Sequence, residues 1–288
     1  TKKGNTIDYF RVDTVKHVDS TTWKSFKNEL TTIKPDFKLI GEHYGASINN
    51  TGGYLRSGQM DSLLDFDFKY QAERFVNGNI EDVEKALQYR NNQLSNEATL
   101  GQFLSSHDED GFLVSRAGGD TGKQMVAAAL QITAKGQPVI YYGEEVGQSG
   151  KHAGDMDKGE FNENRYDFDW SRVKGEGKAM HTHYQKLLNI RADYSHVFSK
   201  GTRSSVAVNA TSGYSIFERA YGKQSVLVGL NTKEKAQTVS FKTSYKAKTV
   251  LIDRYSGKSY TVQKDGKVTV SLPAQDQGGT VILVEKRK

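Results

Sequence analysis

The sequence contains no cysteine. That excludes disulfides, thiolate metal sites and a cysteine nucleophile, and it leaves the compartment open. No apolar run approaches the length that spans a bilayer, so no transmembrane helix and no membrane partner are expected. No segment has the layout of a signal peptide. The first residue is Thr1 rather than methionine, so the numbering is expected to start after processing or after the removal of an upstream part. A basic stripe is also missing. The 40 Lys and Arg are interspersed with 34 Asp and Glu, and the net charge is +6. The expectation is a mildly basic, soluble surface rather than a nucleic-acid-binding one. Internal repeats and low-complexity segments are absent too.

What is present is 288 residues, 36% of them apolar, enough for a large core and for two domains. The 28 glycines, 15 tyrosines and 13 phenylalanines imply many loops and aromatic surfaces. From Ile7 to about Ser199, strand-like and helix-like segments alternate. Ile7–Val12, Phe37–Gly41, Ser62–Phe68, Thr99–Ser105 and Pro138–Tyr142 read as buried strands. Helices are predicted from a Ser20 or Thr21 cap through Leu30, over Ile80–Leu94, over Gly122–Ala134 and over Met180–Ala192. In the helix over Ile80–Leu94, Val83, Ala86, Leu87 and Tyr89–Arg90 fall at helical spacing. Five strands, each followed by a helix or a long connection, predict a parallel sheet with helical crossovers. After about Gly201, short alternating β-branched segments are separated by turns such as Ser-Gly and Asp-Gly. They predict an antiparallel β-sandwich of the last 88 or so residues. The expected division is therefore 1–200 and 201–288.

Charged residues collect where predicted strands end: Asp13, Glu42, Asp108 and Glu144. Three apolar stretches each finish in a carboxylate: FRVD at Phe10–Asp13, LIGE at Leu39–Glu42 and FLSSHD at Phe103–Asp108. One such residue is more often a helix N-cap than a catalyst. Three in order, one beside His107, point to chemistry. The stretch Gly118–Gln124 has a phosphate-loop look but lacks the glycine spacing and the Ser or Thr after Lys123, so it reads as a helix start. Asp155, Asp157 and Glu160 could be metal ligands, but a solvated acidic loop is the better reading.

These motifs resemble the α-amylase superfamily, glycoside hydrolase family 13. The family's strand-four motif G-x-R-x-D-x-x-K-H is matched from Phe10 through Arg11, Asp13 and Lys16 to His17. Its strand-five motif is matched by Gly41-Glu42. Its F-x-x-N-H-D motif is matched by Phe103 to Asp108, with Ser106 in place of asparagine. Its G-x-P-x-I-Y-Y-G-x-E segment is matched from Gly136 to Glu145. Asn164–Trp170 is similar to the family's N-R-x-P-x-x-W segment, with the proline replaced.

The resemblance implies strands four to eight of a TIM (β/α)8 barrel followed by a β-sandwich. It implies a retaining glycoside hydrolase that cleaves internal α-1,4-glucosidic bonds of starch, with Asp13 as nucleophile, Glu42 as acid/base and Asp108 as third carboxylate. Arg11, Lys16, His17, His107 and Arg165 are the implied substrate-side residues. The two reacting carboxyls of a retaining enzyme lie about 5–5.5 Å apart, and neighbouring strands about 4.8 Å apart can supply that separation. Glu42 must begin protonated, so burial or nearby carboxylates are expected to raise its pKa. Asp13 must stay ionised, and Arg11 lies on the same face of the strand. The resemblance allows a structural calcium with the His17 backbone carbonyl among its ligands, and no organic cofactor. It implies a secreted bacterial enzyme. Because a barrel closes with eight strands, an N-terminal piece carrying strands one to three is the expected partner. A transglycosylase or debranching enzyme is the alternative, and for this chain alone so is a non-catalytic glucan-binding fragment.

Overall fold

A computed structural model of the chain describes residues 7–95, 98–151 and 162–286. Asp155, Asp157 and Glu160 lie outside the described residues. The first half is a parallel sheet in the order β1 (Tyr9–Val12), β2 (Lys38–Gly41), β3 (Ser62–Asp65), β4 (Thr99–Gln102) and β5 (Gln137–Pro138). The strands are short, and their buried positions mix apolar residues such as Leu39, Leu63 and Leu100 with polar ones such as Ser62, Asp65 and Gln102. The sheet curls. The Tyr9 hydroxyl lies 3.0 Å from Ser62 Oγ, which donates to Gln137 Oε1 at 2.9 Å, and Gln137 Nε2 donates back to Tyr9 at 2.7 Å. These three residues come from β1, β3 and β5, so alternate strands fill one interior layer, as in a (β/α)8 barrel.

Helices α1 (Ser20–Ile33), α2 (Phe68–Val76), α3 (Ile80–Gln93), α4 (Phe112–Ser115), α5 (Thr121–Thr133), α6 (Lys178–Asp193) and α7 (Ser195–Lys200) complete this half. Several sequence expectations need correction. The cap of α1 is Asp19, not Ser20 or Thr21. Its carboxylate accepts from the amides of Thr21 and Thr22 at 2.9 and 3.0 Å, and a negative charge suits a helix N-terminus. The strand expected over Ser62–Phe68 stops at Asp65, and Phe68 opens α2. Phe68, Ala72, Phe75 and Val76 are all buried at helical spacing, a pattern that outweighs the local strand character. The strand expected over Pro138–Tyr142 pairs only at Gln137 and Pro138. Beyond it, the Val139 carbonyl is taken by the Gln131 side chain at 2.9 Å and the backbone leaves the sheet. On α3, Arg90 is buried with the expected face but Tyr89 is exposed, and Glu84 and Asn91 are buried as well. The helix start at Gly118–Gln124 is present, with Asp120 as the N-cap of α5.

The second half is antiparallel throughout. Strands β6 (Thr202–Asn209), β7 (Tyr214–Tyr221), β8 (Gln224–Asn231), β10 (Val250–Asp253), β11 (Ser259–Thr261) and β13 (Thr280–Glu285) form a six-stranded sheet ordered β11-β10-β13-β8-β7-β6. Strands β9 (Gln237–Lys242) and β12 (Lys267–Leu272) pair beside it. The six-stranded sheet is buried on both faces. On β8 and β13, Val226, Val228, Leu230, Ile282 and Val284 join the core of α2, α3, α5, α6 and α7. Their neighbours Leu227, Val281 and Leu283 join the core under β9 and β12. This is the period-2 alternation of a strand used twice. A bidentate pair also crosses between the halves, with Arg203 of β6 donating to Glu84 of α3 at 2.8 and 2.7 Å.

Candidate active site

Each candidate carboxylate leaves the sheet at the C-terminal end of a strand. Val12 is in register with Gly41, so Asp13 and Glu42 follow on neighbouring strands. The backbone keeps them together: Glu42 N–H donates to Val12 O at 2.7 Å, and Val15 N–H donates to Glu42 O at 2.9 Å. Gly41 permits this approach, because a Cβ there would lie 2.9 Å from Val15 Cγ2 and 3.0 Å from Leu63 Cδ2. Thr14 adopts φ 47°, which aims its amide at Glu42 Oε2, 3.1 Å away. A non-glycine residue in that region is uncommon and marks a constrained turn.

Arg11 bridges the two carboxylates. One guanidinium nitrogen is paired with Asp13, and the other lies 3.2 Å from Glu42 Oε1. The sequence reading paired it with Asp13 and placed it on the substrate side; the second carboxylate partner, Glu42, comes from the structure. The two carboxyls differ in setting: the Asp13 side chain is 64% exposed and that of Glu42 is 13% exposed. Burial, followed by the hydrogen bond it shares with Asp13, pushes the Glu42 pKa up against the opposing pull of the Thr14 amide. The same shared hydrogen bond and the Arg11 guanidinium hold Asp13 below the usual carboxylate range. One group is thus poised to give a proton and the other to stay ionised.

Asp108 closes the group from the loop after β4. Its carboxylate receives Arg165 Nη2 at 2.9 Å, and His107 Nε2 lies 3.1 Å from its other oxygen. Arg165 Nε also donates to His107 O at 3.0 Å. Arg165, expected beside substrate, therefore engages the Asp108 loop. Ser106 accepts the Asp108 amide at 3.2 Å, so the residue in the asparagine position shapes the loop. Asp13, Thr14, Lys16, His17, Glu42, Tyr44, His107 and Asp108 line one cleft of about 380 Å³.

Lys16 and His17 lie on a single helical turn at the cleft wall. The Lys16 ammonium sits 5.3 Å from the centroid of the Tyr44 ring. Tyr44 and Thr14 were missed in the sequence. The signal for Tyr44 was an aromatic two residues after Glu42 in a polar loop; Thr14 gave none. Among the described residues, no group of three or more His, Cys, Asp or Glu is arranged to hold a metal ion.

Comparison with known proteins gives the family and the fold. The sequence model of the alpha amylase catalytic domain matches residues 3–208. The chain is 28% identical to neopullulanase 2 of Thermoactinomyces vulgaris over 271 residues, which is 92% of this chain and 44% of that protein. It is 30% identical to the periplasmic alpha-amylase of Escherichia coli strain K12 over 236 residues, 77% of this chain and 32% of that protein. The chain thus spans less than half the length of either relative. The crystal structure of the alpha-amylase from Geobacillus thermoleovorans, solved with acarbose, superposes with a TM-score of 0.80 at 20% identity. That superposition covers 98% of this chain and 60% of the other, and it speaks for the fold.

Proposed function

This chain belongs to the alpha-amylase catalytic-domain family, and we propose that it carries the catalytic carboxylates of a retaining hydrolase of internal α-1,4-glucosidic bonds in starch. The observation that carries the reading is the Arg11 bridge between exposed Asp13 and buried Glu42, with their pKa values driven in opposite directions. Glu42 protonates the leaving oxygen while Asp13 attacks the anomeric carbon. Glu42, now a carboxylate, then takes a proton from the water that releases the sugar. Carboxyls that follow paired residues on neighbouring strands suit the closer spacing of a retaining pair rather than the wider spacing of an inverting one. Asp108, held by Arg165, stabilises the positive charge that develops on the ring. Lys16 and His17 face the leaving-group side and His107 binds sugar hydroxyls.

Asp13→Asn should lower starch hydrolysis on the order of 10⁴-fold or more, the scale of losing an essential group. Unchanged turnover would sink the assignment and leave a glucan-binding fragment in its place.

In the same reading the parallel sheet is strands four to eight of a (β/α)8 barrel, and a second polypeptide segment supplies strands one to three. Its support is physical. Neither β1 nor β5 has an outer strand partner among the described residues, and Ile7 and Ile33 stand 61% and 83% exposed beside β1. Open edges with apolar surroundings ask for cover. Any structural calcium would use the His17 carbonyl and draw its other ligands from that segment. A chain without cysteine has no thiol to misoxidise outside the cell, which suits the secreted bacterial setting we propose. A second reading has one specific support: relatives are named neopullulanase, cyclomaltodextrinase and amylopullulanase. A debranching or ring-opening preference would show as faster turnover of pullulan or cyclodextrin than of starch.

A further inference from the structure

A second carboxyl beneath the site is not used by the reaction. Glu144 follows β5 and is 4% exposed; no hydrogen bond of good geometry reaches either oxygen, and Ser105 is its one polar neighbour within weaker reach. It lines a small cavity of about 10 Å³, room for about one water. Ser149 lines the same cavity, and its buried hydroxyl also lacks a partner. Three unpaired oxygens therefore surround one water-sized space. Unpaired buried polar atoms are costly, and a bridging water is the ordinary remedy.

The roof of this cavity is the loop that carries His107 and Asp108. Ser105, at the start of the loop, lines the cavity, and its hydroxyl accepts the Phe112 amide at 2.9 Å. Gly111 lies against Ser149: a Cβ on it would come within 2.1 Å of the Ser149 hydroxyl, and its amide donates to Gly150 O at 2.8 Å. Asn164, also in the lining, donates at 2.5 Å to both Ser106 O and Glu109 O. It thereby brackets the His107–Asp108 pair.

We infer that Glu144 is a positioning residue for Asp108: as a neutral acid it shares the cavity with one water and Ser149, and this packing holds the loop from Ser105 to Phe112 in place. The inference rests on the role proposed for Asp108. Among the described residues, no cation contributes to holding Glu144 ionised. Glu145 on the same turn and Tyr184 of α6 face it, and Tyr141, Tyr142, Tyr166 and Glu163 share the cavity lining. Arg172 donates to Gly147 O at 3.0 Å, at the end of the same turn. Burial accordingly raises the Glu144 pKa to about 8. As pH rises toward that value, an opened loop that lets the carboxyl ionise in water gains on the closed one.

The test is amide hydrogen exchange over the segment from Ser105 to Phe112 in the intact chain, corrected for the intrinsic pH dependence of exchange. In the native sequence the opening equilibrium should grow by about tenfold per pH unit between the ordinary carboxyl range and about 8, and level off above 8. Glu144→Gln keeps the shape but cannot ionise, so its opening should be flat with pH. The same tenfold growth in Glu144→Gln, or none in the native chain, overturns the inference. If Glu144→Gln does not fold, Ser149→Ala is the second variant. Loss of the hydroxyl should move the midpoint to higher pH, and an unmoved midpoint counts against the shared cavity. The readout needs no turnover. Asp13→Asn should keep the native opening profile even where activity is gone, which separates failure of this inference from failure of the proposed reaction.

Discussion

At the scale of the residue, the candidate site depends on one guanidinium serving two carboxylates. Arg11 lowers the pKa of both Asp13 and Glu42. Removing it in Arg11→Met should therefore raise both. The acid limb of kcat/KM, set by Asp13 becoming ionised, moves to higher pH. The alkaline limb, set by Glu42 losing its proton, also moves to higher pH. A pH profile of the assembled enzyme checks the direction, and limbs moving apart would show that Arg11 acts elsewhere. The three carboxylates were legible because each ends an apolar run, which is a local signal. The second arm of Arg11 was not, because its partner Glu42 is 31 positions away in the chain and only strand register brings it close.

At the scale of the element, the junction between α3 and β6 is held by a buried pair. Arg203 and Glu84 side chains are 2% and 3% exposed, and Ser215 donates to Glu84 at 3.2 Å. Truncating one partner leaves a charge in low dielectric, so Arg203→Met should cost about 3–5 kcal/mol in urea unfolding. Arg203→Met combined with Glu84→Leu should recover much of that loss, since the desolvation of both charges is then avoided. The sequence read α3 as amphipathic through Val83, Ala86 and Leu87. It set Tyr89–Arg90 at the same spacing, and Arg90 is buried, but it could not show that Glu84 is, because the cover of Glu84 is β6, not a neighbour on the helix. For α2 the reverse holds. Its buried spacing of Phe68, Ala72, Phe75 and Val76 is written in the sequence, but three strand-like residues just before it masked the change of period.

At the scale of the whole molecule, two buried titrating groups bound the range of stability. His183 donates and accepts within α6, α5 and the β10 turn, 2.7 Å from both Met125 O and Tyr255 Oη. Burial lowers its pKa to about 4 from an ordinary 6.5. The native state then binds fewer protons than the unfolded chain, so stability falls as pH drops from about 6.5 toward 4. Glu144, raised to about 8, does the opposite: its contribution is full below the ordinary carboxyl value and is lost as pH rises through 8. Melting temperature against pH should show a dome. His183→Gln should flatten its acid side alone. Assembly is the other expectation at this scale. Native mass spectrometry of an active preparation should give a mass above 32.1 kDa that separates, on denaturation, into this chain and a second piece. A lone chain of 32.1 kDa that cleaves starch would overturn the two-piece reading.

The sequence alone determined the alternation of strands and helices, the change to short antiparallel strands after Gly201, and the three carboxylates at strand ends. All of these are periodic or local, and a reader of the chain needs no distant residue to see them. Tertiary structure alone decided what each carboxylate experiences. It buried Glu42 and left Asp13 open, set Arg165 on Asp108, hid Glu144 beneath the loop and gave the β8–β13 sheet two cores. Those outcomes depend on which surfaces lose water together, and burial is a property of the packed chain rather than of any stretch of it.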